Sequence, residues 1–235
     1  MAMWNPWRGC HKYSEGCKFC YIHKGDYKRK IDTNTIVKTD KFTAPIDKNK
    51  KGEYKIKSGQ VVYLCFSSDF LLPDADAWRA DCWQMIKERQ DLHFIFLTKR
   101  IERFMDCLPE DWGDGYDNVT VGCTIENQEM ADLRLSIFSI LPIKHKNVIC
   151  QPLIEQVNIE KYLNDVELVV AGGESDYQAR PLNYDWVLSL KSQCVNRNTH
   201  FQFRQCGTYF IKDGKEYKIS VQQLCSQAKK AGIDC

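Results

Sequence analysis

A single α/β domain, built as a complete or partial (β/α) barrel, is the fold class that this 235-residue sequence predicts. Two observations carry that reading. Near-continuous apolar runs alternate with segments of helical period, and the runs end in small or polar residues. Uninterrupted apolar runs belong to strands covered on both faces, as in a parallel sheet. An open doubly wound sheet shares the pattern, because periodicity does not report closure.

The elements follow in order. A short strand is expected near Trp4. "VVYLCFSSDF" (61–70) is the first long apolar run; the helix after it starts near Asp74 and Asp76 and places Trp78, Cys82, Met85 and Ile86 on one face. "HFIFLTKR" (93–100) is the next strand, followed by a short helix through Phe104. "VTVGCTIEN" (119–127) precedes a helix with Met130, Leu133, Ile137 and Leu141 on one side. "NVICQPLIE" (147–155) and "VELVVAGGES" (166–175) are two further strands. A helix around Trp186 to Cys194 leads to "HFQFRQCG" (200–207). That makes about seven β/α units. Residues 27–60 interrupt the alternation: "DKNKKGEYKIKSGQ" reads as a lysine-rich turn or hairpin inserted before the second strand, either a lid or substrate-gripping loop or a solvated excursion.

Each strand ends on residues suited to a site: Ser67-Ser68-Asp69, Thr98-Lys99-Arg100, Thr124-Ile125-Glu126-Asn127, Glu155, Gly172-Gly173-Glu174-Ser175 and Gln205. In parallel α/β folds ligands bind at that edge. Loops are polar in any case, so it is the repetition at six strand ends that points to a site.

The net charge of +2 conceals an asymmetry. Residues 1–57 hold 14 Lys and Arg against 6 Asp and Glu, while the remainder holds 19 against 25. A basic front fits a phosphate-bearing partner or a solvated lysine face, and the balanced total argues against a dedicated DNA binder. "MAMWNPWRGCHK" lacks the apolar core of a signal peptide and no run reaches membrane-span length, so a soluble cytoplasmic protein without a membrane partner is expected.

Twelve cysteines then need an account other than secreted disulfides. Cys65, Cys82, Cys123 and Cys150 lie inside apolar runs, where a thiol acts as a small core hydrophobe. Cys10, Cys17 and Cys20, in "GCHKYSEGCKFCY" (9–21), do not. A C-x2-C pair lets two thiolates converge on one centre, and Gly9 and Gly16 permit tight turns around it. A Cys3His zinc site with His11 or His23 as fourth ligand is one solution. Three thiolates on a [4Fe-4S] cluster, leaving one iron open, is the other. Trp4 and Trp7 flank the loop and could shield such a centre or stack a base, whereas Trp78, Trp83 and Trp186 fall on helices and read as core.

Cys17-Lys18-Phe19-Cys20-Tyr21 resembles the C-x-Φ-C half of the radical S-adenosylmethionine (SAM) enzymes, whose usual spacing is C-x3-C-x2-C; the first gap here is six residues. "WNPWRGCHKYSEGCKFCY", "FLTKR", "VGCTIEN", "CQPLIEQV", "VVAGGESDYQARPL", "DWVLSLKSQC" and "FQFRQCGTY" resemble, in order, the blocks of a phage and bacterial protein family of unknown function that is itself radical-SAM-like. Gln151 stands where that family reads Glu.

The resemblance implies a radical-SAM-like fold and assigns roles. Cys10, Cys17 and Cys20 would hold the [4Fe-4S] cluster, with Phe19 and Tyr21 beside it. SAM would chelate the open iron and be cleaved to methionine and a 5′-deoxyadenosyl radical, using an external electron donor. Ser67, Ser68 and Asp69 would meet the SAM ammonium, and Lys99 or Arg100 its carboxylate. Glu126 and Asn127 would meet the ribose, and Gly172, Gly173, Glu174 and Ser175 the adenine or a substrate phosphate. Arg180, Arg204 and Gln205 are candidate substrate contacts, and the substrate class is a nucleotide or nucleic acid. Two non-catalytic readings stand beside this: a nucleic-acid-binding protein with a structural Cys3His zinc, and an iron–sulfur sensor.

Overall fold

The computed structural model describes residues 1–235. It is a mixed α/β fold with a seven-stranded parallel sheet, accompanied by a three-stranded and a two-stranded sheet. The chain divides into two compact units, one of Met1–Lys12, Ile22–Gly122 and Leu141–His145, the other of Tyr13–Tyr21, Cys123–Ile140 and Lys146–Cys235.

The first part of the chain supplies β1 (Ala2–Trp4), β2 (Trp7–Arg8), α1 (Tyr21–Lys28), β3 (Val37–Lys38), β4 (Val61–Leu64), α2 (Asp76–Glu88), β5 (His93–Thr98) and β6 (Val119–Thr124). Then come α3 (Gln128–Ile140), β7 (His145–Cys150), β8 (Val166–Gly172), β9 (Leu182–Asn183), α4 (Tyr184–Asn196), β10 (His200–Gln205), β11 (Tyr209–Lys212), β12 (Lys215–Lys218) and α5 (Leu224–Lys230). The large sheet has the order β1–β4–β5–β6–β7–β8–β10, so neighbours follow chain order. That is the strand order of a partial (β/α) barrel, its end strands β1 and β10 unpaired with each other.

In the first unit the core is aromatic. Trp4 and Trp7 are fully buried, and Trp7 stacks on Phe70 at 5.5 Å, which in turn meets Trp83 edge-on at 5.1 Å. These two tryptophans therefore pack the core, whereas Trp78 and Trp186, read as core, are half-buried. On α2 the buried face is Arg79, Cys82, Trp83, Met85 and Ile86, and Arg79 reaches inward to donate to the carbonyls of Phe70 (2.9 Å) and Leu72 (2.7 Å).

Residues 27–60 are fastened at several points. β3 pairs antiparallel with β2, the Trp4 indole donates to Phe42 O at 3.0 Å, and Thr39 Oγ1 donates to Asn5 O at 2.6 Å. Arg89, buried, donates to the carbonyls of Pro45 and Ile56 and pairs with Asp91. The segment's lysines, including Lys48, Lys50, Lys51, Lys55 and Lys57, stay exposed.

The second unit corrects the expected phase of α3. Its buried residues are Ala131, Arg134, Leu135 and Phe138, and Leu133, placed inside by apolar periodicity, is 52% exposed. Ala131, Leu135 and Phe138 form an apolar stripe at i, i+4 and i+7, and Arg134 lies beside them, donating to Thr124 O and Glu126. Two connections contain only single-turn 3-10 helices: Ile101–Arg103 and Met105–Cys107 after β5, where a short helix through Phe104 is expected, and Glu160–Tyr162 after β7. Pro109, Gly113 and Gly115 interrupt the first, and Pro152 stops β7 by removing a ladder donor. The C-terminal sheet β12–β11–β9 was not anticipated; its hairpin turns on Asp213-Gly214, both at positive φ, as a two-residue turn requires.

Replacing Arg89 by Ala should cost about 3 kcal/mol, since it leaves the Pro45 and Ile56 carbonyls without this donor and removes a large buried side chain. Denaturant unfolding measures the loss, and limited proteolysis should map new cleavage to 45–57. Arg89→Lys should not restore resistance, because an ammonium lacks the planar fork that reaches two carbonyls and a carboxylate together.

Candidate functional site

The cysteine segment is held by strand ends, and each unit holds its own portion. In the first unit Asn5 Oδ1 accepts from Ser67 N at 2.9 Å, and Ser67 Oγ donates to Trp7 O at 3.1 Å. Ser68 Oγ donates to Gly9 O. Cys10 N donates to Thr33 O at 2.8 Å. Gly9 sits at φ +92°, and a Cβ there would lie 2.5 Å from Thr35 O, so only glycine admits this approach.

Asp69 organises the same edge. Its carboxylate accepts from Leu71 N (3.0 Å), Thr98 Oγ1 (2.8 Å), Lys99 N (3.1 Å) and Arg100 Nη1 (3.1 Å). Arg100 Nη2 donates to His11 O at 2.8 Å, and the His11 ring faces Asp74 at 3.2 Å. Asp69 and Arg100, assigned to opposite charges of one cofactor, are thus buried partners of each other. Lys99, beside them, contributes its backbone N–H to Asp69 and keeps a half-buried side chain.

In the second unit the turn Glu15–Cys17 is gripped through one peptide group. Glu126, at zero exposure, accepts from Gly16 N at 3.2 Å and pairs with Arg134 at 2.9 Å. Arg180 Nη2 donates to Glu15 O at 3.1 Å, so both the carbonyl and the N–H of the Glu15–Gly16 peptide are taken. Arg180 also pairs with the Glu15 carboxylate at 2.7 Å and with both oxygens of buried Glu174. Its guanidinium carbon lies 5.7 Å from the Phe19 ring. A Cβ on Gly16 would meet Glu126 Cδ at 3.0 Å, and Gly173 passes so close to Gly207 that a Cβ would meet its Cα at 2.8 Å.

The other expected site residues fall as follows. Asn127 Oδ1 caps α3 by accepting from Met130 N. Gln205 Nε2 donates to Gly173 O at 2.6 Å, and Gly172 lies against Gln151 and Gln205. Ser175, Arg204 and Tyr21 are exposed. Arg134 and Glu15 were missed by sequence reasoning. A helix arginine and a loop glutamate carry no local signal, and Glu15 meets Arg180 across 165 residues.

The cysteines separate by environment. Cys65, Cys82, Cys107, Cys123, Cys150, Cys194 and Cys206 are buried, Cys225 and Cys235 exposed, and only Cys10, Cys17 and Cys20 half-buried. Burial pushes the Cys65, Cys82 and Cys150 thiols up, Cys194 to about 12 and Cys206 to about 11. Burial, with Lys12, holds the His23 imidazole below its ordinary value. No three His, Cys, Asp or Glu side chains are gathered in a metal-binding arrangement. The donor chemistry of the front loop nonetheless fits a thiolate-bound centre: three reachable thiols on one short segment, fixed by backbone bonds next to each.

A thiol titration near pH 8 tests this division. Cys10, Cys17, Cys20, Cys225 and Cys235 should react in the native, metal-free protein, and the seven buried thiols only on unfolding. Mass mapping that finds Cys82 or Cys150 labelled early would contradict the packing described.

No curated protein and no solved structure matches the chain. The profile described as "Protein of unknown function (DUF5131)" matches residues 1–232, nearly its whole length. The chain belongs to the DUF5131 family.

Proposed function

We propose that this protein is an iron–sulfur enzyme of the radical SAM type, with Cys10, Cys17 and Cys20 as the ligands of a [4Fe-4S] cluster and SAM as co-substrate. The observation that carries the reading is the segregation of its thiols: three accessible cysteines share one loop in the spacing C-x6-C-x2-C, while those within strands are sealed. When bound, the cluster supplies the single electron that cleaves SAM to methionine and a 5′-deoxyadenosyl radical, delivered by an external donor.

The chain's own residues bind and orient. Ser67, Ser68 and Arg100 hold the carbonyls of Trp7, Gly9 and His11 on either side of Cys10. Arg100 being committed to Asp69, Lys99 is the residue that meets the methionyl carboxylate. Asn127 meets the ribose in place of the sealed Glu126, and the close-packed Gly172-Gly173 segment the adenine. For the substrate, a nucleotide or nucleic acid, the support is charge. Asp26, Asp40, Asp47 and Glu53 in the basic front are each paired with a cation, and Lys28, Lys30, Lys50 and Lys51 are exposed.

Anaerobic purification should yield a brown protein with broad absorbance near ~400 nm and matching iron and sulfide. Cys10→Ala, Cys17→Ala and Cys20→Ala should each lose the cluster, and Cys82→Ala should keep it. SAM plus a strong reductant should give 5′-deoxyadenosine, with Lys99→Ala weakening SAM binding about tenfold. Zinc bound without iron would replace this reading by the structural Cys3His site; iron without 5′-deoxyadenosine would replace it by a sensor.

A further inference from the structure

We infer that Arg180 is the positioning residue of the Cys17–Cys20 turn, setting the two thiols in place before any cluster is bound. Its geometry belongs to one unit of the chain. The purpose assigned to it rests on the cluster reading above.

The turn has little to hold it by itself. Its internal bonds are short-range: Cys17 N to Ser14 O at 2.9 Å, Lys18 N to Glu15 O at 3.1 Å and Cys20 N to Cys17 O at 3.3 Å. One loose 3-10 turn without a buried apolar face is near the low-stability end of any fold. Arg180 supplies what is missing, because it grips the turn at three points: the Glu15 carboxylate, the Glu15 carbonyl and the Phe19 ring. Those points straddle Cys17 and reach the residue before Cys20.

Arg180 is itself immobilised from the other side. Its backbone N and its Nε both donate to Glu174 Oε2, at 2.8 and 3.1 Å, and its Nη2 donates to Glu174 Oε1. Glu174 is buried, and its carbonyl accepts from Thr208 N at 2.8 Å, which ties the segment to the chain after β10. A guanidinium with each of its three nitrogens engaged, between a buried carboxylate and a loop, fixes geometry rather than offering a vacant anion site. Two carboxylates around one cation also make the spot unattractive to a further anion. The arrangement matches the way ligand-supporting residues outside a metal centre orient the ligands.

The test reads the turn directly. In metal-free protein, alkylation of Cys17 and Cys20 is followed by mass spectrometry near pH 9.5, where loss of a cation changes the thiolate fraction least. Cys225 is the internal standard. Arg180→Ala should raise the Cys17 and Cys20 rates about tenfold and leave Cys225 unchanged. Arg180→Lys should restore little, and added methylguanidinium should slow Arg180→Ala back toward wild type, a rescue that general destabilisation would not show. Should Arg180→Ala fail to fold, Glu15→Gln, at a largely exposed position, should give a smaller increase of the same kind. Iron loss to a chelator should be about 10- to 100-fold faster in Arg180→Ala. Unchanged alkylation rates in the foldable variants would overturn the assignment. Raised rates in the variants, with a wild-type protein that never takes up iron, would leave the positioning role standing and remove the cluster reading instead.

Discussion

One interaction recurs through this fold: a guanidinium shared between a carboxylate and a main-chain carbonyl. Arg79 joins Asp76 to the carbonyls of Phe70 and Leu72, and Arg103 joins Asp76 to the carbonyl of Leu71, so three successive carbonyls after β4 are taken. Arg89 does this for Pro45 and Ile56, Arg100 for His11, Arg134 for Thr124, and Arg180 for Glu15. Loops that leave a strand end carry carbonyls with no ladder partner, and a buried one is costly unless it finds a donor. An isolated buried arginine is costlier still. Putting the two together with a carboxylate offsets both costs, in part only at Arg134, whose Nε and Nη2 stay buried without a hydrogen-bond partner, and only Arg has the planar spread of donors to do so.

The same device determines how the cysteine loop is presented. Residues ahead of and around Cys10 hang from Ser67, Ser68 and the Asp69–Arg100 pair, whereas the turn bearing Cys17 hangs from Glu126 and Arg180. Several strand-end residues that a ligand-binding reading would assign to a small molecule are engaged with the loop instead. Strand-end polarity in this parallel sheet therefore suspends the segment that carries the thiols, and only part of it stays at the surface. Asp69, Arg100 and Glu126 are sealed, whereas Lys99, Asn127 and Gln205 are half-buried and Ser175 exposed.

Sequence reasoning succeeded where burial alone decides structure and failed where a polar group overrides it. The parallel strands were legible because runs such as Val119–Thr124 carry no charge and are buried throughout. The face of α3 was misread because Ala131, Leu135 and Phe138 offer a second apolar stripe next to that of Leu133, and the buried Arg134 beside it is counted as surface by hydropathy. α1 passed unnoticed: "YIHKGDYK" has few apolar residues and an internal glycine, and its buried member is Asp26, paired with Arg29 at 2.6 Å. The β11–β12 hairpin carried a readable Asp-Gly turn, but the charge of "KEYK" hid the strand. Trp4 and Trp7, close to the cysteines in sequence, proved to be core, Trp4 packing edge-on against Phe94 and Trp7 stacking on Phe70.

The sequence by itself determined the α/β class, the seven main strands, the sealed fate of the strand cysteines and the singular character of the three in the front loop. Those are properties of local pattern: apolar run length, turn residues and the spacing of thiols along the chain. Tertiary structure alone decided which polar residues hold the loop and which remain at the surface to meet anything else. Glu15 with Arg180 and Gly16 with Glu126 are partnerships across more than a hundred residues. Such partnerships exist only once the sheet has brought its strand ends together, and no local pattern encodes them.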